Sequence, residues 1–321
     1  MRRRHFLVSA AALSFPAQAQ QAKRVGILTG LAEADPATKA RLAGFREGMA
    51  AFGWREGQNL AIDVRYEPSS PERARRLAAE LMALKPDIVL AQGLPSVVAI
   101  REANIDLPIV FVGVSDPVTA RLVESLARPG TRTTGFTANE PSFGAKWIEL
   151  LKEIAPRTER LLVLTQQSAA FYRPSIEQAM KQFGVEVSFA QVDSAGDIQA
   201  VLDGFAGTAG GAAGLVLPTD LFTAANRQQI IALAARHRLP LITGNPPFPP
   251  DGGLMYYGAD FIDLYRRAAG YVDRILRGTR PADLPVQQPV TFQMSINLKT
   301  AAALGLTVPP TLLARFDEVF E

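Results

Sequence analysis

The sequence has no cysteine and only two histidines among its 321 residues. The absence of cysteine excludes disulfide bonds, thiolate metal sites and a cysteine nucleophile. His5 lies within the first nineteen residues, and His237 stands in AARHRLP at the predicted end of a helix, where a positive charge is favourable. The sequence therefore gives no support to a Ser-His-Asp triad or to a metal site with its usual ligand spacing.

Motifs for nucleotides and nucleic acids are missing too. No P-loop pattern occurs and no GxGxxG follows the first predicted strand; the glycine-rich stretch 207–214 precedes a strand, so we interpret it as a loop. Apart from the three arginines of residues 1–19, the chain has 31 basic and 31 acidic residues, and they are interspersed. No basic stripe could track a nucleic-acid backbone. We expect no metal, no cofactor and no nucleic-acid partner.

The N-terminus has the pattern of a targeting segment. MRRRHFLVSAAALSFPAQAQQ combines a basic start, an apolar run too short to span a bilayer and the small-x-small site AQA. We predict a signal peptide over residues 1–19 and a periplasmic mature protein. The letters RRHFL also resemble the twin-arginine export pattern, with a general secretory signal as the alternative.

Strand and helix patterns alternate along the rest of the chain. The predicted strands form two series, at 24–29, 60–66, 87–91, 108–113 and 133–137, and then at 160–165, 185–190, 214–218 and 240–244. Helices are predicted between them, including one from Ser96, one from Pro117 and one over 223–236. Alternating strands and helices indicate parallel sheets covered on both faces. We predict an α/β fold with two doubly wound parallel-sheet lobes.

The alternation changes after residue 253. A short strand in GGLMYYG is followed by a long helix over 259–277, a turn-rich crossing, a strand in QQPVTFQMSIN and a short C-terminal helix. These pieces form no domain of their own, so we expect several hinge crossings. The predicted N-terminal lobe is 20–136 plus about 255–283, and the C-terminal lobe is 137–254 plus about 284–321.

Polar residues follow the predicted strands. Ligands of open parallel sheets bind just beyond the carboxyl ends of the strands. At those ends this sequence has small or polar residues, so two facing lobes would enclose a polar cleft. The candidates are Thr29, Gly30, Gln92, Gly93, Ser115, Asp116, Gln166, Thr219, Asp220 and Asn245.

Two of these strand ends resemble helix starts. GLPSVV, which contains Pro95, predicts Ser96 as an N-cap, and free backbone N–H groups there suit a carboxylate. SDPV repeats the pattern with Asp116 as the cap and Pro117 at the first helical position. Plain capping without a ligand is the alternative at both places.

Asp220 follows the buried strand of LVLPTD. It caps a helix that starts near Phe222, or it anchors the ammonium group of a ligand, because closure of the cleft would supply the cation that a buried carboxylate needs. A zwitterionic amino acid would then place its carboxylate near Ser96. Phe171, Tyr172 and Phe222 could flank its side chain, although most aromatic residues belong to the core.

Several long stretches resemble one family. They are FREGMAAFGWREGQNLAIDVRY (45–66), PIVFVGVSDPVTARLVESLARPGTRTTGFT (108–137) and LPVQQPVTFQMSINLKTAAALGLTVPPTLLARFDEVFE (284–321). With the leader, they make the sequence similar to the ABC_sub_bind family of periplasmic substrate-binding proteins, which includes tryptophan- and tyrosine-binding members. The resemblance implies a type I periplasmic binding fold, with Ser96, Ser115 and Asp116 on one wall and Phe171, Asp220 and Asn245 on the other. Family members that bind amino acids have PTDN where this chain has PTDL, so Leu221 replaces an amide.

We therefore predict an extracytoplasmic protein that closes on a small solute and delivers it to an ABC-type importer, with an amino acid, aromatic ones included, as the best candidate. Hinge closure needs no catalytic group, so we predict no enzyme. The expected partners are permease subunits in the inner membrane, and the expected state is a monomer. The alternatives are a sensory protein that signals to a membrane receptor, and a secreted hydrolase that uses Asp116 and Asp220.

Overall fold

The computed structural model describes residues 22–66, 70–166, 169–208 and 212–321. The predicted signal peptide lies outside these ranges. Among the described residues, no helix has both the length and the apolar character needed to cross a membrane.

The first sheet has five parallel strands in the order β2-β1-β3-β4-β5. Both faces of the sheet are covered, and for this reason β3 and β4 are buried along their whole length and apolar except for Gln92 at the end of β3. The elements are β1 (Lys23–Thr29), α1 (Pro36–Ala51), β2 (Leu60–Tyr66), α2 (Pro71–Ala83), β3 (Ile88–Gln92), α3 (Gly93–Ala103), β4 (Ile109–Val112) and β5 (Thr133–Phe136).

The second sheet has seven strands in the order β12-β11-β10-β9-β8-β6-β7, and only the pair β10–β11 is antiparallel. The elements after β5 are, in chain order, α4 (Phe143–Ile154), β6 (Arg160–Thr165), α5 (Arg173–Phe183), β7 (Glu186–Gln191), α6 (Ala195–Thr208), β8 (Ala213–Leu217), α7 (Leu221–Ala225), α8 (Arg227–Arg236), β9 (Leu241–Thr243), β10 (Met255–Ala259), α9 (Phe261–Leu276), β11 (Phe292–Asn297), α10 (Leu298–Ala303), α11 (Pro310–Leu313) and β12 (Glu318–Phe320). Short 3₁₀ turns cover Ala169–Phe171 and Pro281–Asp283.

Helix α9 belongs to the first lobe although the strand before it belongs to the second. α9 and α1 pack together on one face of the first sheet, with Phe45, Met49, Tyr265 and Val272 buried between them. Gly48 is required there, because a Cβ atom on it would lie 2.7 Å from the Cβ of Ala269. The two helices therefore approach more closely than larger side chains would allow.

The predicted lobe boundaries are wrong in two places. The stretch about 255–283 was assigned to the first lobe, but β10 pairs with β9 and β11 in the second sheet, so only the part from α9 onward joins the first lobe. Residues 284–287 were assigned to the second lobe, yet the Gln287 N–H donates to the Gly135 carbonyl at 2.9 Å. Backbone pairing holds this stretch against the edge strand of the first sheet. The chain crosses between lobes after β5, after β10 and before β11.

The helix predicted from Pro117 does not form. Asp116 caps a single turn by accepting from the Thr119 N–H at 2.9 Å. Arg121 then adopts a φ of 54°, which an α-helix cannot contain. The helix predicted over 223–236 is also two helices, because the chain breaks at Asn226 between α7 and α8.

Candidate functional site

Two adjoining cavities lie between the lobes at the carboxyl ends of the strands. The inner cavity, of about 30 Å³, is lined by Arg41, Gln92 and Gly93 of the first lobe and by Asp220, Leu221 and Asn245 of the second. The outer cavity, of about 600 Å³, is lined by Ser115, Asp116 and Thr119 on one side and by Gln166, Phe171 and Tyr172 on the other. Thr219 borders both cavities.

Most of the predicted site residues meet at these cavities, but Thr29, Gly30, Pro95 and Ser96 line neither. Thr29 is buried beneath the inner cavity, and Pro95 is exposed on α3. Ser96 is not the N-cap, because α3 begins three residues earlier and Gln92 occupies the cap position. The early start is possible because Gly93 adopts a φ of +75°, which lets β3 turn directly into the helix. Ser96 instead lies buried inside the first turns of α3.

Gln92 is the most connected side chain of the first-lobe wall. Its Oε1 accepts from the Thr29 hydroxyl at 2.8 Å, from the Gly30 N–H at 3.2 Å and from the Tyr265 hydroxyl at 3.0 Å. The Gly30 N–H can only donate, so it fixes the amide with Oε1 turned toward the protein. The Nε2 group is left to face the inner cavity.

Arg41 also lines the inner cavity and was not among the predicted site residues. It is 4% exposed, and its guanidinium lies 4.3 Å from the centre of the Phe261 ring. Burial lowers the pKa of Arg41 from its usual value, because removal from water disfavours the charged form. The sequence spacing could have indicated that Arg41 is buried, because Arg41, Phe45 and Met49 are four residues apart and share the buried face of α1.

The carboxylate of Asp220 organises the second-lobe wall. Its Oδ1 accepts from the Thr223 N–H at 2.8 Å and so caps α7, as the capping alternative predicts. Its Oδ2 accepts from the Thr165 hydroxyl and from the Gln166 N–H, both at 3.1 Å. Asp220 thus joins the ends of β6 and β8 while it borders the inner cavity.

Asn245 supports the same turn from the neighbouring strand. Its Oδ1 accepts from the Asp220 N–H at 3.2 Å, and its Nδ2 donates to the Pro218 carbonyl at 3.2 Å. Asn245 is 4% exposed, so these bonds also satisfy a buried amide. Its position follows from pairing of β8 with β9, which brings residues 220 and 245 to one sheet edge.

Aromatic and hydroxyl groups line the outer cavity. Phe171 is half-buried and lies edge-on to Tyr172, with 5.0 Å between the ring centres. Burial raises the pKa of Tyr172, and its hydroxyl neighbours are Ser115 and Thr219. Phe222, a third predicted flank, packs instead against the core of the second lobe.

Leu221 closes the cleft over two glycines. A Cβ atom on Gly30 would lie 2.6 Å from one methyl group of Leu221, and a Cβ atom on Gly93 would lie 2.5 Å from the other. A salt bridge of 2.9 Å also joins Arg227 of α8 to Asp35, the N-cap of α1. These contacts link the lobes, so the structure is a closed form.

Comparisons with known proteins agree with this geometry. Residues 24–320 match the family model described as ABC transporter substrate binding protein. The chain belongs to this family. The tyrosine-binding protein of Clostridioides difficile (strain R20291) is 25% identical over 287 residues, which cover 88% of this chain and 81% of that relative.

Two solved structures are similar over nearly the whole substrate-binding protein. An ABC domain from Streptococcus pneumonia in complex with L-Trp has a TM-score of 0.83 and 23% identity, covering 94% of this chain and all of the other. A conserved domain protein from Vibrio cholerae O1 biovar eltor has a TM-score of 0.82 and 26% identity, covering 93% and 100%. The predicted two-lobed type I periplasmic binding fold and the role in ABC transport are therefore confirmed.

A methyl group on Gly30 should hinder closure of this substrate-binding protein. The Cβ of Gly30→Ala would overlap Leu221 only when the lobes meet, so we expect an affinity loss of about tenfold with little change in the melting temperature of the ligand-free protein. Calorimetric titration measures the affinity. The double variant Gly30→Ala/Leu221→Ala should recover much of the loss, and equal affinities of wild type and Gly30→Ala would show that Leu221 does not form the closed contact in solution.

Proposed function

We propose that the mature protein is exported to the periplasm, closes on an aromatic amino acid and delivers it to the permease subunits of an ABC importer. The observation that carries this proposal is that the inner cavity is lined by a buried arginine of the first lobe, Arg41, and by a buried aspartate of the second, Asp220. A zwitterionic head group presents both complementary charges. The names of the relatives, a tyrosine-binding protein and a domain in complex with L-Trp, support the same class of solute.

The outer cavity supports an aromatic side chain. Its volume of about 600 Å³ lies within the range of small-molecule sites, and Phe171 and Tyr172 form part of its wall. The inner cavity, at about 30 Å³, has no room for a ring. The amino acid would therefore enter with its charged head inward and its side chain toward Phe171.

We propose binding without catalysis. The two carboxylates of the hydrolase alternative, Asp116 and Asp220, both cap backbone turns and face different parts of the cleft. A general acid and base must both reach the reacting bond. In the described parts of the chain, no group of three or more histidine, aspartate or glutamate side chains is arranged to hold a metal. We further propose that the protein is a monomer that meets its permease through the closed lobes.

Calorimetric titration of the refolded mature protein tests this function. L-Tryptophan, L-tyrosine and L-phenylalanine are compared with alanine, aspartate, adenine and glucose; refolding removes any solute that co-purifies. We expect saturable binding of at least one aromatic amino acid, accompanied by thermal stabilisation of about 2.7 kcal/mol at a hundredfold excess over Kd. Binding of a sugar or purine alone would keep the transport role and overturn the amino-acid assignment.

A further inference from the structure

The first-lobe wall of the inner cavity offers hydrogen-bond donors and a positive charge. Arg41, 4% exposed, has no salt bridge and no hydrogen bond within the described part of the chain. Asp35, an acid whose charge acts on Arg41, forms its own contacts with other groups: one oxygen pairs with Arg227 at 2.9 Å and the other accepts from the Ala37 N–H at 2.9 Å. The ring of Phe261 gives the guanidinium a weaker partner than a carboxylate would.

Two further donors lie beside Arg41. Gln92 is 3% exposed, and its Oε1 is occupied by three donors, which leaves Nε2 to the cavity. Helix α3 begins at Gly93 without a side-chain cap, and Gly93 and Leu94 both border the cavity. The positive end of the helix dipole therefore points to the same space as the guanidinium.

A buried cation without a counter-ion is unfavourable unless a ligand supplies one. We infer that Arg41, the Gln92 Nε2 group and the N-terminus of α3 form an anion subsite that holds the carboxylate of the solute. This inference rests on the proposed function in one respect, namely that the solute occupies this cavity. It adds the chemical class: the solute must carry a carboxylate, whatever its other groups are.

The arrangement assigns an orientation as well. The carboxylate lies against the first lobe, and any ammonium lies toward Asp220 on the second, so each lobe holds one charge of the solute. Binding of one charge to each lobe favours the closed form over the open form, because only the closed form makes both contacts.

Arg41→Met and Arg46→Met test the subsite as a matched pair. Both arginines lie on α1, but Arg46 is exposed and pairs with Glu56. The probes are L-tryptophan, L-tryptophanamide, tryptamine and indole-3-propionate. A probe that has no aromatic side chain is acetate, for which we compare the melting temperatures in sodium acetate and in sodium chloride at equal ionic strength. Wild-type protein should prefer each carboxylate over its neutral or decarboxylated analogue by about 10- to 100-fold.

Arg41→Met should remove this preference and leave the weak binding of L-tryptophanamide unchanged, while Arg46→Met behaves as wild type. Without ligand, Arg41→Met should melt at the same temperature as wild type or higher, because an unpaired buried charge is lost. A purely structural arginine would instead lower the melting temperature. The subsite would be overturned if Arg41→Met kept the preference for carboxylates and if acetate still changed its melting temperature as in wild type. If no amino acid binds but indole-3-propionate or acetate binds through Arg41, the subsite stands and the amino-acid proposal fails.

Discussion

Asp220→Ala should abolish detectable solute binding and lower the free energy of unfolding by about 2–4 kcal/mol. The carboxylate accepts from the Thr223 N–H, the Thr165 hydroxyl and the Gln166 N–H, and Asp220 is 5% exposed. Alanine leaves these donors without their acceptor in a place that water barely reaches. The turn that forms one wall of the inner cavity would then lose its organising group. Urea denaturation and calorimetric titration measure the two effects.

Asp220→Asn separates the two roles of this residue. The amide keeps one acceptor oxygen for the cap but removes the negative charge, so we expect a smaller loss of stability with affinity still reduced for an ammonium-bearing solute. Asp197→Asn is the matched control and should leave affinity unchanged, because Asp197 also accepts from backbone N–H groups at the start of a helix but lines neither cavity. Wild-type affinity in Asp220→Asn would show that Asp220 caps α7 and does not hold the solute.

Arg227→Met should weaken solute binding by about 10- to 100-fold with a smaller effect on the ligand-free protein. Arg227 joins Asp35 of the first lobe at 2.9 Å and Asp251 of the second at 2.5 Å. Asp35 is 8% exposed in the closed form, so loss of the arginine leaves a buried carboxylate without its salt bridge. When the lobes separate, water reaches Asp35 and the cost disappears. The change therefore acts on closure, and titration calorimetry detects it as a loss of affinity.

Arg236→Met is the control for this effect. Arg236 lies on the same helix, α8, and its only salt bridge within the described chain is a 3.9 Å contact with Asp203 of its own lobe. Its replacement should leave affinity unchanged. Equal affinities of Arg227→Met and Arg236→Met would contradict a role of the Arg227–Asp35 pair in closure.

The architecture could be predicted because its signals are local. Short apolar strands such as β3 and β4 are buried on both faces, and their polar ends are visible in the sequence. The lobe boundaries could not be placed to the residue, because α9 and β10 are consecutive in the chain yet belong to different lobes. Local patterns do not record which sheet an element joins.

Polar residues at strand ends predicted the outline of the site. Residues that reach the cavity only through tertiary packing were not predicted. Asp220 and Asn245 follow strands and were found, whereas Arg41 lies in the middle of a helix and borders the cavity only because α1 packs against α9. Ser96 was assigned as a cap because serine favours that position, but the φ of +75° at Gly93 lets the helix begin earlier. For Leu221 the sequence indicates only that a leucine replaces an amide. Its contact with Gly30 and Gly93 forms between the two lobes in the closed structure, so the sequence could not predict it.

The central claim is that two lobes close on a small solute. Small-angle X-ray scattering of the refolded mature protein, with and without a saturating concentration of the aromatic amino acid that binds most tightly in calorimetry, tests it most directly. We predict that the solute reduces the radius of gyration, that the solute-bound profile matches the closed structure, and that the solute-free profile is more extended. Identical profiles at saturation would contradict the claim, because they would show that binding occurs without closure of the cleft.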